Sequence, residues 1–191
     1  EGVWADLSME VRRRLIQEIG TMLRCLHGQD LAAGHGWNRH RDWNRFLAQR
    51  LGNADIHHAA QEPFRSWIQR ELRAFVELPY QQVLLHGDLT RDHFFLAQAA
   101  DGAWSVSGLI DFGDARMGHP FYDFIALLID YTLGEPELSR LLLAAYGLPV
   151  TPTVTQVLTR YCLLHEFTTL GDVQDKIAMQ APEDFHRALW G

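Results

Sequence analysis

The spacing of apolar residues along the chain changes from helical to extended and back again. In the first 75 or so residues, apolar side chains recur every three or four positions, which predicts helices. Asp6 or Ser8 can cap the first helix and Gly28 ends it, and further helices are predicted over residues 41–51 and about 62–75.

Short apolar runs in the middle of the chain predict three β-strands, over residues 83–85, 94–96 and 104–110, the last two joined at the Asp101-Gly102 turn. We therefore expect an α+β fold, mostly α, with a small β insert, in one domain spanning residues 1–191. Helical spacing then returns, which predicts helices over residues 121–133, 137–146, 151–170 and 173–189.

Composition is typical of a globular protein and narrows the classes of partner. The 191 residues are 47% hydrophobic and 21% charged, enough to bury a full core. A formal net charge of -7 argues against a nucleic-acid-binding protein and favours a cationic small molecule or partner. The longest apolar stretch contains Asp123 and Asp130, so no membrane span is expected.

The two cysteines, Cys25 and Cys162, lack a CxxC spacing, so neither a disulfide framework nor export is expected, and a cytoplasmic location is predicted. No apolar signal segment opens the chain. The first residue is Glu1 rather than methionine, which indicates a piece of a longer protein or a processed one.

Titratable residues cluster where the predicted strands end. Asp88 follows the first strand within the polar run 86–93, and Asp111 follows the third. Two carboxylates on neighbouring loops suit phosphoryl transfer, in which one accepts or orients the hydroxyl proton and the other holds Mg²⁺.

Three runs resemble motifs of one family. His86-Gly87-Asp88-Leu89 and Leu109-Ile110-Asp111-Phe112-Gly113 are similar to the catalytic and metal loops of the aminoglycoside phosphotransferase and choline-kinase-like family, which has the protein-kinase fold. Gly118-His119-Pro120-Phe121-Tyr122-Asp123 resembles its Gly-Asp-Pro-x-x-Asp motif, with His119 replacing an aspartate. The resemblance implies the carboxy-terminal, helical lobe of an ATP-dependent kinase that phosphorylates a hydroxyl of a small molecule. An aminoglycoside is one candidate and would imply a role in antibiotic resistance, and choline-like amines and nucleoside antibiotics are others.

The resemblance also implies roles for single residues. Asp88 would be the catalytic base and Asp111 the main Mg²⁺ ligand, while His86 would shape the loop and Asp123 would support it by hydrogen bonding. The alternative for Asp88 and Asp111 is an ordinary turn residue, and for Asp123 a helix cap.

The sequence departs from the family pattern at His93, where the family has an asparagine that helps to hold the metal. A neutral imidazole is a poor ligand for Mg²⁺ and a better one for Mn²⁺ or Zn²⁺. His93 is therefore a substitute ligand, a water-mediated partner or a sign of weakened catalysis.

A second departure is that no lysine and no GxGxxG motif precede Asp88. The amino-terminal lobe that holds the nucleotide phosphates in this fold is therefore expected to be absent from the chain. Loss of that lobe would leave an apolar surface through which the protein could associate.

Other charged residues have a functional and a structural interpretation. Arg91 and Arg116 flank the candidate site and could stabilise phosphate, and Arg91 and His93 are the candidate nucleotide contacts, while surface ion pairing is the alternative for both arginines. Five carboxylates in the last quarter could receive a cationic acceptor, although a solvated face is favoured: Glu166, Asp172, Asp175, Glu183 and Asp184.

Two histidine motifs are rejected as sites. His40-Arg41-Asp42 spells a kinase catalytic triplet, but Leu47 stands where a metal ligand would be needed. His57 and His58 are predicted to be an exposed pair rather than a metal site, because adjacent helical residues point apart.

Two other functions remain open. A metal-dependent hydrolase could be built from mixed imidazole and carboxylate ligands. A catalytically silent lobe that binds a partner or small molecule would fit His93 and the missing lobe, but would not need both Asp88 and Asp111. The residues of the hydrolase hypothesis are His86, Asp88, His93, Asp111 and His119.

Overall fold

Helices form both ends of the chain, and two small antiparallel sheets lie between them in sequence. The computed structural model describes residues 3–29 and 42–191. Its helices are α1 (Met9–His27), α2 (Trp43–His58), α3 (Phe64–Arg73), α4 (Phe124–Leu127), α5 (Pro136–Tyr146), α6 (Pro152–Cys162), α7 (Leu170–Lys176) and α8 (Pro182–Trp190). Its strands are β1 (Val83–Leu85), β2 (Phe94–Gln98), β3 (Trp104–Leu109) and β4 (Arg116–Gly118). The prediction of a mostly helical protein with a small β insert is confirmed.

The first helix packs along α5 and forms much of the core. The Ser8 side chain accepts a hydrogen bond from the Val11 amide, and Gly28 ends the helix, both as predicted. Leu15, Ile16 and Ile19 are fully buried on one side of α1. This buried stripe follows directly from the apolar spacing of the sequence.

The two sheets place the candidate loops side by side. β2 and β3 form the predicted hairpin, with Phe94 paired to Leu109. β1 pairs with β4, which runs antiparallel to it and sets Leu85 opposite Arg116. The sequence did not predict β4, because a three-residue strand that begins with arginine has no alternating pattern. Its pairing brings the segment after β1 next to the segment that follows β3.

Three predicted helices have different bounds in the structure. The helix predicted over residues 121–133 is a 3-10 turn (Pro120–Asp123), then α4, then a π-helix (Leu128–Thr132). The helix predicted over 151–170 ends at Cys162. The last predicted helix is divided into α7 and α8, because Pro182 starts a new helix at its first position.

The second helix extends to His58, seven residues beyond its predicted end. Residues 52–56 include only one large apolar side chain, Ile56, which is exposed, so periodicity could not detect this part. His58 is buried and His57 half-buried, so the prediction of an exposed histidine pair is wrong.

Two further sequence expectations concern cysteines and membranes. Cys25 is exposed and Cys162 is buried, and both are free thiols. Among the described residues, no helix combines the length and the apolar character that a membrane crossing requires.

The contact between α1 and α5 depends on Gly20. A Cβ atom at Gly20 would lie 2.8 Å from the Ala145 Cβ and 2.8 Å from the Leu142 carbonyl oxygen. We expect Gly20→Ala to lower the free energy of unfolding by about 1–3 kcal/mol, because the two helices must separate. Urea unfolding followed by circular dichroism measures this.

Gly52→Ala is the matched control. Gly52 lies at an exposed position of α2, and a Cβ there would meet no atom within 4 Å. This variant should gain up to about 1 kcal/mol from helix propensity. Equal effects of the two substitutions would contradict the packing argument.

Candidate active site

The buried carboxylate of Asp123 fixes the start of the loop that follows β1. Its Oδ2 accepts a hydrogen bond from the His86 amide at 2.8 Å, and its Oδ1 accepts one from the Gly87 amide at 2.8 Å. His27 Nε2 lies 3.0 Å from Oδ2, and the Tyr146 hydroxyl lies 2.9 Å from His27 Nδ1. Asp123 is only 2% exposed, so these donors are its compensation for leaving water.

His86 links this loop to the strand that precedes Asp111. Its ring is fully buried, and its Nε2 lies 2.8 Å from the Ile110 carbonyl oxygen. Its Nδ1 accepts a hydrogen bond from the Asp88 amide at 3.3 Å. Because a carbonyl can only accept, these contacts assign the proton to Nε2. The imidazole therefore connects the two loops directly.

Asp88 has one carboxylate oxygen without a protein partner. Within the described part of the chain, its Oδ1 is buried and makes no hydrogen bond. Burial raises the pKa of Asp88, His93 opposes the shift, and the Asp114 carboxylate adds to it. A carboxylate with a raised pKa and a free oxygen is suited to accept a proton from a bound hydroxyl.

His93 lies between Asp88 and Asp111. Its Nδ1 is 2.6 Å from the Asp88 carbonyl oxygen, so Nδ1 carries the proton and donates. Its Nε2 is 3.6 Å from Asp111 Oδ2. An imidazole lone pair and a carboxylate oxygen therefore converge at one point, where together they can bind a divalent cation.

The Asp111 side chain is 63% exposed and therefore accessible from solvent. Its backbone has a φ of 63°, and its Oδ1 accepts a hydrogen bond from the Gly113 amide at 3.3 Å. In residues 3–29 and 42–191, no three or more histidine, cysteine or acidic side chains form a group that could hold a metal ion. A cation here would need further oxygens from a substrate or water.

The two candidate arginines have aromatic and acidic contacts. The Arg91 guanidinium lies 5.6 Å from the centre of the Tyr131 ring. Arg116 is only 3% exposed, lies 4.1 Å from the Phe46 ring centre and donates to Glu166 Oε1. Arg116 therefore forms the ion pair that was its alternative interpretation, although the arginine side of that pair is buried and not at the surface.

His119 has a structural role. Its Nδ1 accepts a hydrogen bond from the Phe121 amide at 3.1 Å, so it caps the 3-10 turn. Burial among Tyr80, Phe121 and Tyr161 lowers the pKa of His119 to about 4. The ring therefore stays neutral, and it does not join the hydrolase ligand set that the sequence suggested.

Two of the five acidic candidates cap helices. The Asp172 carboxylate accepts a hydrogen bond from the Thr169 amide, and the Asp184 carboxylate accepts them from the Gln180 and Ala181 amides. His40 and Arg41 lie outside the described residues, while Asp42 caps α2 through the Asn44 amide.

Sequence reasoning missed an exposed apolar face beside Asp111. Phe95 is 55% exposed and Ile110 is 45% exposed. Phe95 pairs with Gly108, and strand alternation puts Gly108 and Ile110 on the same side. The run of residues 94–96 predicts only a strand, although alternation along a strand already requires one of the two phenylalanine rings to face outward.

Two cavities adjoin these loops. One of about 340 Å³ is bounded by α2, β4 and residues close to the Asp111 loop. A second of about 500 Å³ lies beside Arg91 and includes Trp4, Phe95 and Tyr131 in its wall. The first cavity is lined by Asp42, Arg45, Phe46, Gln49, Asp114, Arg116 and Glu166.

A family model described as the phosphotransferase enzyme family matches residues 1–158. The chain belongs to this family. Its match contains all three motifs, so the resemblance predicted from the sequence is confirmed.

Solved structures share the fold. One is the GDP complex of wild-type aminoglycoside 2'-phosphotransferase-IIIa, with a TM-score of 0.63 and 22% identity over 83% of this chain and 54% of that one. Another is macrolide 2'-phosphotransferase type I, with a TM-score of 0.59 and 20% identity over 93% of this chain and 59% of that one.

A curated relative is lysine-specific demethylase JMJ21 of Arabidopsis thaliana, 29% identical over 116 residues. The match takes in 47% of this chain and 12% of the plant protein. The chain thus spans just over half of the two solved phosphotransferases and a small part of the curated relative.

The close approach of the two loops requires a glycine at position 87. Gly87 has a φ of 90°, and a Cβ there would lie 2.5 Å from the Asp114 carbonyl oxygen. We expect Gly87→Ala to lower the free energy of unfolding by about 1–3 kcal/mol more than a substitution that introduces backbone strain without a clash. It should also speed hydrogen exchange of the His86 and Gly87 amides, measured by NMR.

Gly102→Ala isolates the strain. Gly102 has a φ of 85°, but a Cβ there would meet only the Gln98 Nε2, at 3.9 Å. If both variants lost the same free energy and the loop amides stayed protected, the proposed contact between the loops would be wrong.

Proposed function

We propose that this chain is the helical, catalytic lobe of a phosphotransferase that moves the terminal phosphate of ATP to a hydroxyl of a small molecule. The observation that carries the proposal is the arrangement of Asp88, His93 and Asp111. The first has a buried, unpartnered oxygen and a raised pKa, and the last two converge at 3.6 Å. Family membership supports the reaction class.

Asp88 is the proposed general base. As the acceptor oxygen attacks the terminal phosphorus of ATP, its proton passes to the Asp88 carboxylate. A new phosphorus–oxygen bond forms and the bond to the ADP oxygen breaks, so ADP leaves. His86 and Asp123 act indirectly, since they hold the backbone from which Asp88 projects.

Asp111 and His93 would hold a divalent cation, which in such reactions neutralises charge on the transferred phosphate. The exposed carboxylate is a hard oxygen ligand, and His93 Nε2 is a softer nitrogen ligand. This donor pair fits Mn²⁺ better than Mg²⁺.

The exposed Phe95 and Ile110 offer an apolar surface for the nucleotide base. Phe95 also borders the 500 Å³ cavity, which Arg91 lines as well. An aromatic ring stacks favourably on such a surface, and Arg91 can pair with a phosphate or ribose oxygen. One structural relative is a GDP complex, which supports a nucleotide as a ligand of this fold.

The 340 Å³ cavity is the proposed acceptor site. Its carboxylates are Asp42, Asp114 and Glu166, and its arginines are Arg45 and Arg116. Glu166 binds Arg116 through one of its two carboxylate oxygens, Oε1. The carboxylates in this lining favour a cationic acceptor. The aminoglycoside and the macrolide after which the two structural relatives are named are the first candidates.

We further propose that the amino-terminal nucleotide-binding lobe lies outside these 191 residues. The chain spans 54% of the first structural relative, which leaves room for such a lobe. The use of ATP and the two free cysteines favour the cytoplasm.

A catalytically silent binding lobe is the second candidate. His93 favours it, because the family's asparagine oxygen is replaced by a nitrogen ligand. The unpartnered Asp88 oxygen argues for catalysis instead, since burying it has a cost that binding alone does not explain.

Asp88→Asn in the full-length protein tests the base. We expect phosphate transfer to fall at least about a hundredfold, because the amide cannot accept the proton. ATP binding should change less than about threefold. Transfer from radiolabelled ATP is measured with a panel of aminoglycosides and macrolides, and binding by calorimetry.

The control is Asp101→Asn, in the exposed hairpin turn. Full activity of Asp88→Asn would show that Asp88 is not the base.

The pH dependence of the wild type tests the same assignment. Its kcat/KM should fall as the pH is lowered through the raised pKa of Asp88, since the base is then protonated.

His93→Asn tests the metal assignment. The wild type should be more active with Mn²⁺ than with Mg²⁺. In the variant, the ratio of the Mn²⁺ rate to the Mg²⁺ rate should fall by about tenfold, so that Mg²⁺ becomes the better metal, because an amide oxygen suits the harder ion. Steady-state rates with each metal measure the ratio. The control is His186→Asn, at an exposed position, which should leave this ratio unchanged. If His93→Asn and His186→Asn gave the same ratio, His93 would not be a metal ligand.

A further inference from the structure

One face of α2 binds the segment between α6 and α7. Arg50, His57 and His58 are spaced by seven and eight positions, which places them within about 100° of the helix circumference. They face residues 163–170, where the helix predicted from the sequence is broken. The segment is therefore not a free loop.

Side chains satisfy much of the backbone of this segment. Arg50 donates from Nε to the Leu164 carbonyl and from Nη2 to the His165 carbonyl, each at 2.9 Å. His57 Nε2 lies 2.9 Å from the Thr168 carbonyl oxygen. These bonds replace the ones that a continuous helix would have made.

His58 joins the two ends of the segment. Its Nε2 donates to the Leu163 carbonyl at 2.8 Å, and its Nδ1 accepts from the Leu170 amide at 3.1 Å. Both ring nitrogens are used, and only the neutral ring can make both bonds. Burial lowers the pKa of His58, which favours that form, while Leu163 opposes the shift.

The middle of the segment reaches the proposed acceptor cavity. The Glu166 amide donates to the Tyr122 hydroxyl at 3.1 Å, and its carboxylate binds Arg116. Both Glu166 and Arg116 line the 340 Å³ cavity, as do Asp42, Arg45, Phe46 and Gln49 near the start of α2. The helix thus lines the cavity with its first turns, and its later residues bind the backbone on both sides of Glu166.

We propose that His58 is a positioning residue that sets Glu166 in the acceptor cavity by joining the Leu163 and Leu170 ends of the segment. The acceptor part of this inference rests on the proposed function, and the structural part does not. Neither His58 nor His57 touches the catalytic loop.

The structural part is tested by hydrogen–deuterium exchange with His58→Phe, which keeps a ring and removes both bonds. The Glu166 and Leu170 amides should exchange about tenfold faster. The His86 and Gly87 amides should be unchanged. His186→Phe, at an exposed position, is the control and should alter neither region. Unchanged protection of residues 163–170 would overturn the proposal.

His58→Gln is the second variant, for the case that the phenylalanine does not fold. Its amide can donate to the Leu163 carbonyl, so protection of the Glu166 amide should recover at least partly. Faster exchange across the whole chain in the glutamine variant, including residues 86–88, would assign His58 to general stability and refute positioning.

The acceptor part is tested with the first compound phosphorylated in the antibiotic panel. His58→Phe should raise its KM about tenfold, with kcat and the KM for ATP changed less than about twofold. A fall in kcat alone would contradict positioning. If the wild type phosphorylates nothing, the proposed function fails, and the exchange result still decides whether His58 holds the segment.

Discussion

The candidate site depends on a single buried carboxylate. Asp123 receives the amides of His86 and Gly87 and lies 3.0 Å from His27. A carboxylate at 2% exposure is tolerable only when donors surround it, so the loop and the carboxylate stabilise each other. Because both loop amides bind one rigid group, the direction in which Asp88 leaves the loop is determined before any substrate binds.

Three imidazoles connect Asp123 and the Asp88 loop to the groups around them. His27 lies between Asp123 and the Tyr146 hydroxyl, His86 lies between the two loops, and His93 lies between Asp88 and Asp111. For His86 and His93, a bond to a backbone carbonyl determines which ring nitrogen carries the proton. Side chains therefore connect the Asp88 loop to Asp111, although the two residues lie in separate connections between the two sheets.

The sequence allowed much of this to be predicted, for physical reasons that differ between elements. Helix α1 was predictable because its burial follows a 3.6-residue period and Ser8 caps it. The Asp88 and Asp111 loops were found by their motifs and by the strands before them. The β4 strand was not, because its three residues gain their order from pairing with β1 rather than from any local preference.

One of the errors, the length predicted for α6, has a cause outside the local sequence. Where the helix predicted over 151–170 breaks, the backbone is bound by Arg50, His57 and His58, which lie more than a hundred positions away. The loop at His86 is likewise held by Asp123, 37 positions along the chain. Periodicity reports local burial and cannot detect a side chain that replaces a distant backbone partner. Such replacement lets the chain leave regular structure without leaving polar groups unpaired. Here it occurs at the segments that carry Asp88 and Glu166 to the two sides of the proposed reaction centre.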